Sequence, residues 1–81
     1  MLNSKSELIG INYSDSNLNY YHELYDEINL ELLILIGNKI SNLSFIKNLV
    51  KIKHLNLSTN SIVDISKLKN LKQLEYLNIS F

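Results

Sequence analysis

The chain has 81 residues, no cysteine, and eight basic and eight acidic residues, so its formal net charge is zero. This length suits one domain with a modest core, and the missing thiols exclude disulfides and thiolate metal sites. The basic residues are all lysines scattered among acids, so no basic stripe is present and nucleic-acid binding is disfavoured.

The N-terminal region is predicted to form an irregular or helical first unit that shields one end of the fold. Its opening segment, "MLNSKSELIG", lacks the apolar core of a signal peptide, and no apolar run approaches the ~20 residues that cross a bilayer. The stretch "SNLNYYHELYDEI" favours an amphipathic helix capped by Ser16. Its apolar side consists of Leu18, Tyr21, Leu24 or Tyr25, and Ile28.

An internal repeat becomes clear from Leu30 onward. The stretch "LELLILIGN" and the segment Leu49 to Asn70 agree in residue type at a spacing of 22 residues. A degenerate copy starts at Leu8, with Ser16 at the asparagine position, and "LEYLNISF" begins a further copy, giving about three and a half units. The matching pairs are Leu30/Ile52, Leu33/Leu55, Leu35/Leu57, Asn38/Asn60, Ile40/Ile62, Leu43/Ile65, Ile46/Leu68 and Leu49/Leu71.

The pattern L-x-x-L-x-L-x-x-N-x-I at residues 30–40 and 52–62 resembles the leucine-rich repeat. The segments "ISNLSFIKNL" and "IVDISKLKNL" that follow match its 22-residue class, found in internalins and in a regulatory subunit of protein phosphatase 1. The resemblance implies an α/β solenoid, a short right-handed curved stack with a parallel β-sheet on the concave face and turns or 3₁₀ segments on the convex face. We predict one domain, with a flank at 1–7, a degenerate unit at 8–29, regular units at 30–51 and 52–73, and a truncated unit at 74–81.

Each unit contains an alternating pair that is typical of a strand with one set of side chains in the core. These pairs are Ile11 and Tyr13, Leu33 and Leu35, Leu55 and Leu57, and Leu77 and Ile79. Asn38 and Asn60 follow where the chain leaves the strand, and we expect them to form a structural ladder that satisfies backbone groups of the turn. Asn42 and Asp64 are predicted to cap short helical turns, whereas Tyr20 at the same position of the first unit cannot.

The side chains between these core positions are predicted to stack in columns on the concave face. The columns are Gly10, Leu32, His54, Tyr76; Asn12, Ile34, Asn56, Asn78; and Ser14, Ile36, Ser58, Ser80. We expect a partner to bind Leu32, Ile34, Ile36, His54, Asn56, Tyr76 and Asn78, because Leu32, Ile34 and Ile36 make one apolar row in a face that is otherwise polar or mixed. In the alternative interpretations, residues 1–7 or the tyrosine-rich first unit cover this row internally, or the row reflects only a statistical excess of isoleucine and leucine.

We predict no catalytic residue, no metal site and no cofactor. The segment "HELYD" differs from the zinc motif H-E-x-x-H because Asp26 replaces the second histidine, and a solvated helix face explains it better. His54 lacks an evident nucleophile and orienting carboxylate, and two glycines, Gly10 and Gly37, do not make a phosphate-binding loop. The lysines that follow residue 46 are expected on the convex side or its edges.

The resemblance therefore implies a non-catalytic protein–protein interaction module whose protein partner binds the concave face, without nucleic acid or membrane. Two alternatives remain: a regulatory subunit of a phosphatase or other enzyme, and a truncated fragment of a longer repeat protein with no independent function. End-to-end self-association is a further expectation, because Leu74, Leu77 and Ile79 would have a neighbour on one side only. The missing cysteines favour a cytoplasmic location.

Overall fold

The computed structural model describes residues 1–5, 7–16, 24 and 26–80. Within these ranges, four strands of three residues each form one parallel sheet in chain order. The strands are β1 (Gly10–Asn12), β2 (Leu32–Ile34), β3 (His54–Asn56) and β4 (Tyr76–Asn78). Two 3₁₀ helices, Ser44–Ile46 and Ser66–Asn70, lie in the connections after β2 and β3 and contact each other. This arrangement is that of the predicted short solenoid.

The strands pair in the register that the repeat predicts. Leu33 lies opposite Ile11 and Leu55, and Leu55 lies opposite Leu77. The ladder continues beyond the strand ends, where the N–H of Leu35 donates to the carbonyl of Asn56 at 2.9 Å. Because equivalent residues stand side by side, each position of the repeat becomes a column that crosses the sheet.

The core is a continuous apolar cluster formed by the repeated leucine and isoleucine positions. These side chains are fully or nearly fully buried because rows lie on both sides of them, and the mutual packing of neighbouring units supplies the burial that one unit lacks. Leu24, from the first unit, joins the cluster. The central members are Leu30, Leu33, Leu35, Ile40, Leu43, Ile46, Leu49, Ile52, Leu55 and Leu57.

Asn38 and Asn60 are buried where the chain turns out of β2 and β3. The side-chain amide of Asn60 donates to the carbonyls of Leu35 and Leu57, both at 2.9 Å, and its Oδ1 accepts the N–H of Ile40 at 3.0 Å. Asn38 likewise donates to Leu35 at 3.1 Å and accepts from Ser16 at 3.0 Å. Each asparagine thus joins its own turn to the preceding one and satisfies backbone groups that would otherwise be buried without a partner.

A left-handed backbone conformation recurs just before this asparagine position. Asp15, Gly37 and Thr59 have φ angles of 54°, 70° and 58°, respectively. A β-branched residue such as Thr59 rarely adopts this conformation. The turn therefore keeps its geometry through the surrounding hydrogen bonds even where the local residue type disfavours it.

Asn42 and Asp64 accept hydrogen bonds at the start of the two 3₁₀ helices. Oδ1 of Asn42 accepts the N–H of Ser44, and Oδ1 of Asp64 accepts the N–H of Ser66, both at 2.8 Å. Each lies one residue before the helix N-cap, so the bond closes an Asx turn that leads into the helix. The hydrogen bond from the Ser66 backbone lowers the pKa of Asp64, and the hydrogen bond from the Ser66 side chain lowers it further; desolvation opposes this shift and the charge of Lys67 adds to it.

We expect the Asp64 carboxyl to titrate below its ordinary pKa when its side-chain carbon is followed by NMR. Since the folded pKa is depressed, its stabilising contribution is present above the unfolded pKa and is lost as the pH falls through the folded pKa. Asp64→Asn is the matched control, because Oδ1 still accepts the Ser66 N–H and the pH dependence should vanish. A carboxyl that titrates at or above its ordinary value contradicts this assignment.

Three positions that the repeat placed in or near the core are exposed. Tyr13 is 45% exposed and Ile65 is 52% exposed, although their equivalents Leu35 and Leu43 are buried. Tyr13 follows the edge strand β1, and Ile65 lies in the unit next to the other edge, so each has a described row on one side only. Ile28 is 53% exposed, unlike Leu24, so the two do not share one buried face. Residues 26–28 of the predicted first-unit helix form turn and irregular structure, and its residues 17–23 and 25, which include Tyr20 and His22, lie outside the described residues.

The described N-terminal residues 1–5 and 7–9 lie along the free edge of β1. Leu2 forms an antiparallel bridge with Leu8, and the carbonyl of Met1 accepts the N–H groups of Ile9 at 2.9 Å and Gly10 at 3.2 Å. Between successive units, the carbonyl of Glu31 accepts from Lys53 and His54 in the same manner. The N-terminal segment therefore takes the hydrogen-bonding place of a preceding strand, which protects an edge that would otherwise invite pairing.

Candidate functional site

The strand register brings the predicted binding residues together on one face of the sheet. Leu32 lies opposite His54, which lies opposite Tyr76. In the next column Ile34 lies opposite Asn56, and Asn56 lies opposite Asn78. Ile36 follows in the third column, where the N–H of Gly37 donates to the carbonyl of Ser58 at 3.0 Å. We call this set, with the serines of the third column, the concave face.

The apolar row Leu32, Ile34 and Ile36 is partly buried, with each side chain retaining some access to solvent. Met1 lies over Gly10, where an added Cβ would stand 2.9 Å from the Met1 Cε and 3.3 Å from the Leu32 Cδ2. The N-terminal segment thus reaches the margin of the row beside Leu32. The other cover that the sequence allowed is the tyrosine-rich first unit, of which residues 17–23 and 25 lie outside the described residues.

His54 and Tyr76 form a stacked pair beside the apolar row. Their ring centroids are 4.3 Å apart and the ring planes differ by 18°. Tyr76 remains 44% exposed, so one face of this pair is open to solvent. The sequence placed both residues in one column but did not indicate the ring stacking, which depends on their side-chain torsions.

Three asparagines of the middle column share one local geometry. The Oδ1 atoms of Asn12, Asn56 and Asn78 accept the backbone N–H two residues later, from Ser14, Ser58 and Ser80, at 3.0, 3.1 and 3.0 Å. Ile34 interrupts this series, and there the N–H of Ile36 donates to the hydroxyl of Ser14 at 3.3 Å. The repeated sequence motif Asn-x-Ser at 12–14, 56–58 and 78–80 is the signal that could have predicted these turns.

Charged residues border the concave face without entering its three columns. Lys53, the residue before His54, lies 3.7 Å from the carboxylate of Glu31, and both side chains are about half exposed. Lys51 donates to Asn29 at 2.9 Å, and Asn29 donates to Glu7 at 3.4 Å. These contacts form a polar edge that the 22-residue spacing could have predicted, since Glu7, Asn29 and Lys51 are equivalent positions.

The convex side has an open cavity of about 460 Å³ between the two 3₁₀ helices. Val63, one of its lining residues, is 90% exposed. No cluster of three histidine, cysteine or acidic side chains that is able to hold a metal ion occurs among the described residues. The cavity is lined by Ser41, Asn42, Leu43, Ser44, Val63, Asp64 and Lys67.

None of the helices in the described parts of the chain is long and apolar enough to cross a membrane.

Two solved structures of internalins from Listeria monocytogenes strain 4b F2365 are similar to this chain. The internalin InlF has 36% identity and a TM-score of 0.84 over 86% of this chain, and internalin C2 has 31% identity and a TM-score of 0.74 over 76%. The chain spans only 21% and 27% of those two proteins, respectively. No family model and no curated protein matches it.

Strand partners in the sheet are 22 residues apart in the chain, as the repeat spacing requires. The parallel sheet, the 3₁₀ segments and both neighbours agree with a short repeat solenoid. The chain is a leucine-rich-repeat protein.

Proposed function

We propose that this protein is a non-catalytic binding module whose concave face contacts a protein partner. Leu32, Ile34 and Ile36 form the apolar centre of the contact. The residues His54, Asn56, Tyr76 and Asn78 form its aromatic and polar border. The observation that carries this proposal is the register of the sheet, which sets one apolar row between rows of polar side chains.

The composition of the face agrees with that of protein interfaces. Burial of a large aliphatic side chain contributes about 1.5–3 kcal/mol when it starts fully exposed, and less for these three, which are already partly buried. Tyrosine is enriched among the residues that dominate binding energy, and Tyr76 is already ordered by its stacking on His54. An ordered aromatic pair loses little conformational entropy when a partner covers it.

The division into a flank at 1–7, units at 8–29, 30–51 and 52–73, and a last unit at 74–81 is part of this proposal. Lack of catalysis, a cytoplasmic location and end-to-end self-association stay predictions from the sequence.

Ile34→Lys is expected to abolish the binding of peptides that contact the concave face, while the fold persists. A random 12-residue phage-displayed library selected on the immobilised 81-residue chain supplies the probes, and fluorescence anisotropy measures their affinity. The side chain of Ile34 is partly open, so lysine can extend to solvent while placing a charge in the centre of the contact.

Val63→Lys is the matched control, because Val63 is another β-branched residue but lies exposed beside the convex cavity. The control should bind the selected peptides as the unmodified chain does. If every selected peptide tolerates Ile34→Lys, with circular dichroism unchanged, the concave face is not the recognition surface.

A further inference from the structure

The middle column of the concave face presents oriented hydrogen-bond donors. The Oδ1 atoms of Asn56 and Asn78 accept backbone N–H groups, at 3.1 and 3.0 Å. The other terminal atom of each side chain is therefore its amide nitrogen, which is a hydrogen-bond donor. Among the residues that the structure describes, neither Nδ2 group has an acceptor. Both side chains are partly exposed, so each retains two N–H groups for a partner.

The two donors stand on adjacent strands. Asn56 and Asn78 are register partners of β3 and β4, and neighbouring strands lie about 4.8 Å apart. A carboxylate has two oxygens with about four lone-pair sites, and it can accept one hydrogen bond from each of two amides at this spacing. Same-side carbonyls of an extended peptide lie about 6.7 Å apart, twice the rise per residue, which fits the pair less well.

The surroundings of the pair suit an acceptor with negative charge. The three columns contain no aspartate or glutamate, and the Ser80 hydroxyl donates to Asn78 Oδ1 at 2.9 Å, which helps to hold that side chain in place. Lys53, next to His54 on the same strand, is paired with Glu31 at 3.7 Å, so these two charges largely offset each other. On the other side of Asn56 lies Ile34, so an acceptor over the asparagines adjoins an apolar contact.

We infer that the partner of the concave face presents an aspartate or glutamate carboxylate to the side-chain amides of Asn56 and Asn78, beside an apolar side chain that covers Ile34. This inference rests on the proposed function and specifies the chemistry of its partner. Asn12 has the same turn geometry, but Ile34 separates it from the pair, so it provides no second donor at strand spacing.

The test uses the peptides whose binding to the full 81-residue chain is weakened in the neutral variant Ile34→Ala, since a lysine at position 34 would itself attract a carboxylate over Asn56. In Asn56→Asp and Asn78→Asp, Oδ1 still accepts the serine N–H, but an anionic oxygen replaces the NH₂ donor. Each variant should weaken peptide binding by about tenfold or more, because one donor is lost and a like charge is added. Asn12→Asp is the matched control and should change the affinity less than about twofold.

A second arm changes only the peptide, so its result does not depend on the folding of any variant. Replacing the peptide's aspartate or glutamate by asparagine or glutamine should weaken binding to the unmodified chain by about fivefold or more. If Ile34-dependent peptides lack a carboxylate, or bind the two aspartate variants equally well or more tightly, the inference fails while the proposed function stands. If no peptide depends on Ile34, both fail.

Discussion

Asn60→Ala is expected to lower the free energy of unfolding by about 3 kcal/mol or more, measured by urea denaturation. The substitution removes the donor to the carbonyls of Leu35 and Leu57 and the acceptor of the Ile40 N–H. An unsatisfied buried polar group costs about 1–3 kcal/mol. The Leu35 carbonyl keeps the hydrogen bond from Asn38, but the Leu57 carbonyl and the Ile40 N–H lose their partner. Water does not reach them easily, since Asn60 itself is only 8% exposed.

Asn42→Ala is the matched control for this prediction. Asn42 is exposed and accepts one hydrogen bond, from the Ser44 N–H at 2.8 Å, so its loss should cost about 1 kcal/mol. Asn60→Asp separates the two functions of Asn60, because it keeps the acceptor for Ile40 but sets a carboxylate oxygen against two carbonyls. If Asn60→Ala costs no more than Asn42→Ala, the buried asparagine does not hold the two turns together.

Leu55→Ala is expected to cost about 2–5 kcal/mol in the same measurement. Leu55 is completely buried in the central strand β3, with a neighbouring row on each side. Truncation of such a leucine loses the transfer free energy of the removed methyl groups and leaves a cavity that the surrounding rows only partly close. If the Leu55→Ala variant is largely unfolded even without urea, the loss in free energy of unfolding lies in the upper part of this range.

Leu77→Ala provides the comparison at an equivalent position of the repeat. Leu77 is the register partner of Leu55 but is 41% exposed, because β4 is the edge strand among the described residues. We expect it to cost less than half as much as Leu55→Ala, since a smaller apolar area returns to solvent. Equal losses at the two positions would indicate that the rows do not contribute through mutual packing.

The spacing of 22 residues was enough to predict the strands, their parallel order and the columns of the concave face. Leu32, His54 and Tyr76 were assigned to one column from the sequence, and they are register partners in the sheet. This success has a simple reason: in a repeat solenoid each unit packs on an equivalent unit, so periodicity in the chain becomes neighbourhood in space.

The errors concern residues whose burial depends on what lies next to the unit. Tyr13 and Ile65 occupy framework positions of the repeat but are exposed, whereas Leu35 and Leu43 at the same positions are buried. Periodicity assigns the same environment to all members of a column. It does not distinguish a central row, covered on both sides, from an outer row covered on one.

The geometry of the proposed binding surface was also predicted only in part. The sequence indicated the apolar row and its polar neighbours, but it did not indicate the stacking of His54 on Tyr76 or the approach of Met1 to Gly10. Nor did it show that Asn56 and Asn78 each use their side-chain oxygen in a local turn. Side-chain torsions and hydrogen-bond direction decide these features, and residue type alone does not specify them.

By itself, the sequence determined the class of fold, the register of the strands and the identity of every residue on the concave face, because these follow from spacing. Only the tertiary structure decided which apolar positions are buried and which groups of Asn56 and Asn78 remain open. It also decided how Met1 and Leu2 pair beside the edge of β1. Burial and hydrogen-bond partnership depend on contacts between distant parts of the chain, and a local pattern of residue types does not contain them.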